Sequence, residues 1–226
     1  MEGIQEGEFH CFFTESETER KKSKQRFSVF LPLFKDCRSI ADLGCGEGLF
    51  LELLLDAYPE KRIVGVELNG DFIGLCRQAN PKAVILQEDV LAFVLREGAG
   101  FDGFIMSDLI EHLDFKTALG IIQAIPKGAV LFIKTPNINS VLGHQFYLQT
   151  PGHKAPYSPF VLKKMLSRSG FEVIKEGEED GIVIPRSIFG KVRRKILQFL
   201  FIDEFSRFFG GGNYFIAARK TRGEQS

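Results

Sequence analysis

The run Ile40-Ala41-Asp42-Leu43-Gly44-Cys45-Gly46-Glu47-Gly48 constrains this chain more than any other segment. It follows a short apolar stretch and opens an amphipathic one. Glycines at 44, 46 and 48 let the backbone turn sharply and come close to a ligand. The first N–H groups of the following helix have no partner within it and can face polar ligand atoms. Asp42, near the strand end, puts a carboxylate where it can balance a cationic amino group. Around this turn, short apolar runs alternate with amphipathic stretches, the mark of repeated strand–helix units in a parallel sheet. Strands are expected at 39–43, 62–67, 83–87, 104–106 and 130–134. Helices are expected at 48–57, 71–78, 90–96 and 115–124. A helix at 158–168 then leads to strands at 171–175 and 214–218, one of them expected as an antiparallel edge strand. The fold class is α/β, a doubly wound, mostly parallel sheet.

Two further acids share the strand-end pattern. Glu67 ends the second strand, 19 residues beyond Gly48, where it can hold both ribose hydroxyls of an adenosine. Asp89 ends the third, where it can accept from an adenine amino group. Ligands of open α/β sheets lie outside the carboxyl ends of the strands, so the three acids face one crevice. The plainer role for Asp42 and Asp89 is helix capping. A nicotinamide fingerprint is disfavoured, because it has GxGxxG spacing and this chain has GxGxG. Cys45 reads as a small filler of the turn, since no histidine base is near it in sequence.

The run ADLGCGEG resembles the cofactor motif of class I methyltransferases, which have a Rossmann-like domain. That resemblance implies S-adenosylmethionine as cofactor. It would be bound by Asp42, Gly44, Gly46, Gly48, Glu67, Leu68, Asp89, Val90 and Ser107, with the glycines around the methionine end, Glu67 on the ribose and Asp89 near the adenine. The segment Ser107-Asp108-Leu109-Ile110-Glu111-His112-Leu113 resembles the EHL signature of methyltransferases related to ubiquinone synthesis. Within it, His112 is either a general base for a hydroxyl acceptor or a residue that orders the loops.

Further segments are Thr135-Pro136-Asn137-Ile138-Asn139-Ser140, Phe146-Tyr147-Leu148-Gln149-Thr150-Pro151-Gly152-His153 and Pro156-Tyr157-Ser158-Pro159. With residues 30–34, 65–69 and 169–171, they are similar to the methyltransferase domain of the O-antigen chain-terminating kinase–methyltransferases, across residues 10–175. This likeness implies a glycan acceptor, methylated on a sugar hydroxyl or a sugar phosphate. Ala155 departs from it, since the family has an arginine there. A hydroxyl acceptor benefits from a base such as His112, His144 or His153. A phosphate instead needs cations, for which Lys154 and the 20–26 cluster are candidates. By default that cluster reads as a solvated helix face. His153 and Tyr157 are expected to touch the acceptor rather than merely to order their loop. The alternatives are a small-molecule O-methyltransferase, which the 23 phenylalanines permit, or a cofactor-binding subunit without activity.

The 226 residues suit one domain: an N-terminal cap (1–37), a core sheet (38–180 and 213–220) and a helical insertion (181–212). Basic and acidic residues balance at 29 each, so no nucleic-acid partner is expected. Cys11, Cys37, Cys45 and Cys76 form no CxxC pair, and no histidine–cysteine cluster has metal-ligand spacing, so no metal is expected. Unpaired thiols fit a reducing compartment, and the N-terminus lacks a signal-peptide pattern, which makes a cytoplasmic location the expectation. In 185–209, apolar residues recur at helical spacing with Lys191, Arg193, Arg194 and Lys195 between them. Such a helix by default packs on the sheet or on another subunit, and it can also lie on an anionic membrane surface. The oligomeric state stays open.

Overall fold

The computed structural model describes residues 17–179 and 211–221. The expected basic helix at 185–209, Cys11 and Gly210 lie outside these residues. The described elements run α1 (Glu17–Phe27), a 3-10 segment (Ser28–Phe34), β1 (Ser39–Leu43), α2 (Leu49–Ala57), β2 (Arg62–Glu67), α3 (Gly70–Ala79), β3 (Val84–Gln87) and α4 (Val90–Glu97). They continue with β4 (Gly103–Ser107), a 3-10 turn (Ile110–His112), α5 (Phe115–Ala124), β5 (Val130–Pro136), α6 (Val141–Gln149), α7 (Pro159–Arg168), β6 (Phe171–Glu179) and β7 (Asn213–Lys220).

The strands form one seven-stranded sheet in the order β3-β2-β1-β4-β5-β7-β6. β1 to β5 pair in parallel, and β7 runs antiparallel between β5 and β6. The antiparallel strand is therefore interior, and the edge is β6, which corrects the expected edge position. Composition explains the placement. β7 is buried along most of its length, whereas the charged β6 is mostly exposed, as an edge strand can be.

Alternate strand residues feed two cores on opposite faces. Ala41, Leu43, Phe104, Met106, Leu131 and Ile133 pack with α4, α5 and α7 on one face. Ile40, Ile63, Ile105, Phe132 and Phe215 pack on the other, against the N-terminal cap, α2 and α3. The cap breaks into a 3-10 segment that contains Pro32, which lacks the donor a longer α-helix needs. That segment seats the Phe30 ring against Phe132 and Phe215, at centroid distances of 4.8 and 4.7 Å. Burying a phenylalanine of this kind contributes about 1.5–3 kcal/mol. Among the described residues, no helix is long and apolar enough to cross a membrane.

Candidate active site

The glycine turn follows β1 at the carboxyl edge of the sheet. Gly44 and Cys45 donate their N–H groups to the Val66 carbonyl at 2.8 and 3.1 Å, which ties the turn over β2. Gly44, Gly46 and Gly48 have φ of +67°, +52° and +78°, where only glycine is unstrained. A Cβ at Gly44 would meet Leu109, and one at Gly48 would lie 2.3 Å from the Cys76 sulfur. A Cβ at Gly46 would meet nothing within 4 Å. The outer two glycines are thus required by the protein's own packing, while Gly46 borders open space. Cys45 is buried, and its hydrogen bond with Cys76 together with burial pushes its thiol well above the ordinary range. It is inert filler, in keeping with the sequence reading.

The three acids climb the sheet diagonally. Asp42 pairs in register with Gly65, two residues short of Glu67, and Glu67 pairs with Gln87, two residues short of Asp89. Each step is about 6–7 Å along the strands and about 4.8 Å across them; the parity of two keeps Asp42 and Glu67 on one face, and Asp89 follows β3 at the same edge of the sheet. This is a cradle for an elongated ligand.

The acids differ in their surroundings. Asp42 is 2% exposed, and its Oδ2 has no hydrogen-bond partner among the described residues. Burial, with Cys76 and Glu67 nearby, pushes its carboxyl up to about 8. An orphaned, buried carboxylate oxygen beside a glycine turn fits the ammonium of an amino-acid moiety, which would satisfy both its charge and its hydrogen bond. Glu67 accepts from the Gly46 N–H at 3.0 Å through Oε2, and from Leu68 and Asn69 at 2.8 and 2.9 Å through Oε1. It therefore braces the turn against the β2 end. Asp89 caps α4, accepting from the Ala92 N–H at 2.9 Å, so its capping role is real. Leu68 is 63% exposed at the crevice mouth, and Val90 is buried behind Asp89.

The far side of the crevice is built by the segment after β4. Ser107 ends β4, and Asp108 follows at φ +54°, the only non-glycine residue at positive φ among those described. Its N–H donates to the Lys134 carbonyl at 2.9 Å, and its carboxylate pairs with the buried Lys134 ammonium. This turn leads directly to Glu111 and His112. Glu111 is 1% exposed and accepts from the Thr135 hydroxyl at 2.9 Å. Burial, reinforced by Asp108, pushes its carboxyl up to about 8.

His153 arrives from the loop after α6. Its ring centroid is 4.6 Å from that of His112, and it stacks on Tyr147 at 4.9 Å. Glu111, His112 and His153 each bring one ligand-type atom to within 4.8 Å of the others. The sequence distance between Glu111 and His153 conceals this grouping. The Lys154 and Ala155 N–H groups both donate to the Glu111 carbonyl, which fastens the loop there.

Other expected residues fall elsewhere. Tyr157 is 2% exposed and donates to the Leu113 carbonyl at 3.0 Å. It orders the loop and does not face an acceptor, since its hydroxyl is spent inside the core. His144 is exposed on α6, outside the three-residue group. Within the 20–26 cluster, Arg20 lies 2.9 Å from Glu52 and 3.7 Å from Glu47, and Lys24 also pairs with Glu52. Arg20 and Lys24 thus close the cap onto the start of α2, while Lys21, Lys22 and Arg26 are exposed, as a solvated face has them. Asn137, named in the sequence only as part of a resemblance segment and without a role, is fully buried. It donates to Glu178 at 3.0 Å and to the Gly211 carbonyl at 3.3 Å, fixing the β5 end to the start of β7.

A doubly wound sheet with a glycine turn and three acids at its carboxyl edge is the architecture of a nucleotide-cofactor-binding domain. The model of the methyltransferase domain family matches residues 15–176, and the chain belongs to that family. The matched segment is thus a methyltransferase domain, of a family whose cofactor is S-adenosylmethionine. A solved S-adenosylmethionine-dependent methyltransferase from Archaeoglobus fulgidus is 27% identical, with a TM-score of 0.73 over 94% of this chain and 100% of that one. The fold is shared with magnesium protoporphyrin IX methyltransferase of Synechocystis PCC 6803 with bound cofactor, at a TM-score of 0.57 and 13% identity, over 89% of this chain and 79% of that one. Trans-aconitate 2-methyltransferase of Azoarcus sp. (strain BH72) is 29% identical over 136 residues, which are 59% of this chain and 53% of that protein. The chain spans about half the length of the curated relatives it matches.

Proposed function

We propose that this chain is an O-methyltransferase whose acceptor is a hydroxyl of a glycan or other cell-surface polysaccharide precursor. The observation that carries this reading is the meeting of His112 and His153 beside Glu111, just beyond the β4 end. In this account the Asp42 carboxylate holds the amino group of the methionine moiety, with Gly44, Gly46 and Gly48 around it. Glu67 takes the ribose hydroxyls and Asp89 the adenine amine, while Leu68 and Val90 flank the base and Ser107 lies towards the reacting end. S-adenosylmethionine supplies an electrophilic methyl group when bound. The protein's part is to hold the acceptor oxygen in line and to draw off its proton, for which an imidazole nitrogen of His112 or His153 is suited.

A polycarboxylate acceptor of the kind named for the curated relatives fits less well. Asp108 and Glu111 line this side, and the buried cation there, Lys134, is already paired with Asp108. That cation is thus committed, and the Asp108–Lys134 pair carries no net charge to draw a polyanion. The likeness to chain-terminating methyltransferases and the exposed aromatic Phe146 beside Tyr147 support a sugar-bearing acceptor. The described part of the cap is tied to the cofactor turn and to α2 through Arg20, which joins them into one unit. The buried free thiols of Cys37, Cys45 and Cys76 favour a reducing, cytoplasmic setting.

The test is transfer of a radiolabelled methyl group to two acceptor panels, neutral oligosaccharides and small polycarboxylic acids. Label in the oligosaccharides that is lost in the His112→Ala and His153→Ala variants supports the reading. Label confined to the polycarboxylates overturns it.

A further inference from the structure

We infer that Glu111, His112 and His153 form a binding site for a divalent transition-metal ion. Two imidazoles and one carboxylate bring their ligand atoms to within 4.8 Å of one another. Ligands at about 2.0–2.2 Å from one ion stand about 3–4 Å apart, so closure by about 1–2 Å completes three coordination bonds.

The second observation lies behind the ligands. The Nδ1 of His153 is 2.7 Å from the Tyr147 carbonyl, and the Nδ1 of His112 is 3.2 Å from the Gly152 carbonyl. A carbonyl can only accept, so each Nδ1 is placed to donate, and in the neutral ring Nε2 is then the nitrogen that offers a lone pair. An imidazole whose second nitrogen donates to a carbonyl is the usual arrangement behind a metal-bound histidine, because it fixes both tautomer and ring orientation. The carboxylate is supported in the same way, since Glu111 is held by the Thr135 hydroxyl at 2.9 Å. Tyr147 stacks on the His153 ring and limits its rotation. Catalytic pairing alone requires one oriented imidazole. Here two are oriented, at edge contact, against a buried acid.

Two imidazoles and one carboxylate suit zinc, manganese, iron(II) or cobalt(II) better than magnesium or calcium, which prefer all-oxygen shells. Three protein ligands leave open positions, as in catalytic rather than structural sites. His112 and His153 are partly exposed, so those positions can reach the crevice, while Glu111 is buried behind them.

The role of the ion rests on the hydroxyl-acceptor reading given above, whereas its binding does not. An acceptor hydroxyl on the ion loses its proton more readily, and the proton leaves to solvent at the exposed rim. The resulting alkoxide oxygen attacks the methyl carbon. The O–C bond forms as the C–S bond breaks, and that electron pair returns to sulfur. The imidazoles then act as ligands instead of taking the proton themselves.

The full chain, stripped with a chelator, is titrated with cobalt(II) followed by visible absorption, and with zinc by calorimetry. The expected result is one ion per chain with a dissociation constant of micromolar order. His112→Gln and His153→Gln should each weaken binding by at least about tenfold with unchanged thermal unfolding. His144→Gln, an exposed histidine outside the group, should leave binding unchanged and so controls for adventitious binding by histidine. Binding that survives both rim substitutions, or no binding by folded protein, overturns the site. If the ion binds and methyl transfer to a hydroxyl acceptor is identical in stripped and loaded protein, the assigned role is overturned. Absence of any methyl transfer beside intact, histidine-dependent metal binding would instead count against the acceptor reading alone.

Discussion

Replacing Asp42 by asparagine isolates the cost of keeping a buried acid for a cationic ligand. In the folded chain the carboxyl is pushed from its ordinary 3.8 up to about 8, chiefly by burial. The folded state therefore keeps this proton in the window from about pH 4 to pH 8, where the unfolded chain has lost it. Stability from this group is complete below the unfolded value and is lost as pH rises through about 8. At about 1.4 kcal/mol per pKa unit, the interval sets a ceiling of about 6 kcal/mol. Relaxation and the effective interior dielectric reduce it, and we expect about 2–4 kcal/mol. Urea unfolding of wild type and Asp42→Asn at a series of pH values from 5 to 9 measures this. The difference in stability should move in favour of the variant by that amount as pH rises. Any fixed cost of burying the amide cancels, because it does not depend on pH. Parallel stability curves for the two proteins would refute the reasoning.

Three further outcomes follow from the same geometry. Gly48→Ala puts a Cβ 2.3 Å from the Cys76 sulfur at φ +78°, and should destabilise the fold by about 3 kcal/mol or more in chemical denaturation. Gly46→Ala meets open space at φ +52°, and should cost only about 1 kcal/mol of stability while weakening cofactor binding by at least about tenfold in calorimetry. Asn137→Ala removes one of two donors to the Gly211 carbonyl and one of two to the Glu178 carboxylate, leaving Ser140 and the Gly211 N–H, and should cost about 1–2 kcal/mol, read as a fall of about 2–8 °C in a melting curve.

The sheet was legible where the physics is local. Strands β1, β2, β4 and β5 are buried along most of their length, so each reads as a continuous apolar run bounded by turn residues. Phe115–Ala124 was readable to the residue, because Asp114 caps it by accepting from the Thr117 N–H. Helix α6 was missed because most of its side chains are not buried, so no apolar stripe marks it. The place of β7 was illegible for a different reason: strand order is a tertiary choice, and a run of apolar residues does not say which neighbour it takes.

Within the site, the residue types were readable and their environments were not. Asp42 and Asp89 look alike in sequence, yet one is a buried orphan and the other a helix cap. The Glu111–His112–His153 group has no spacing signature, since it exists only once the loop after α6 folds back onto Glu111. The ion pairs of Arg20 and Lys24 with α2 are equally non-local.

The central claim is that the strand-end acids bind S-adenosylmethionine, and calorimetric titration with that cofactor and with S-adenosylhomocysteine, beside a Glu67→Ala variant, tests it most directly. The account predicts one site per chain, saturable by both ligands, and at least about tenfold weaker binding in the variant with its melting behaviour largely kept. Well-folded wild-type protein that binds neither ligand, or a Glu67→Ala variant that binds as tightly as wild type, would contradict it.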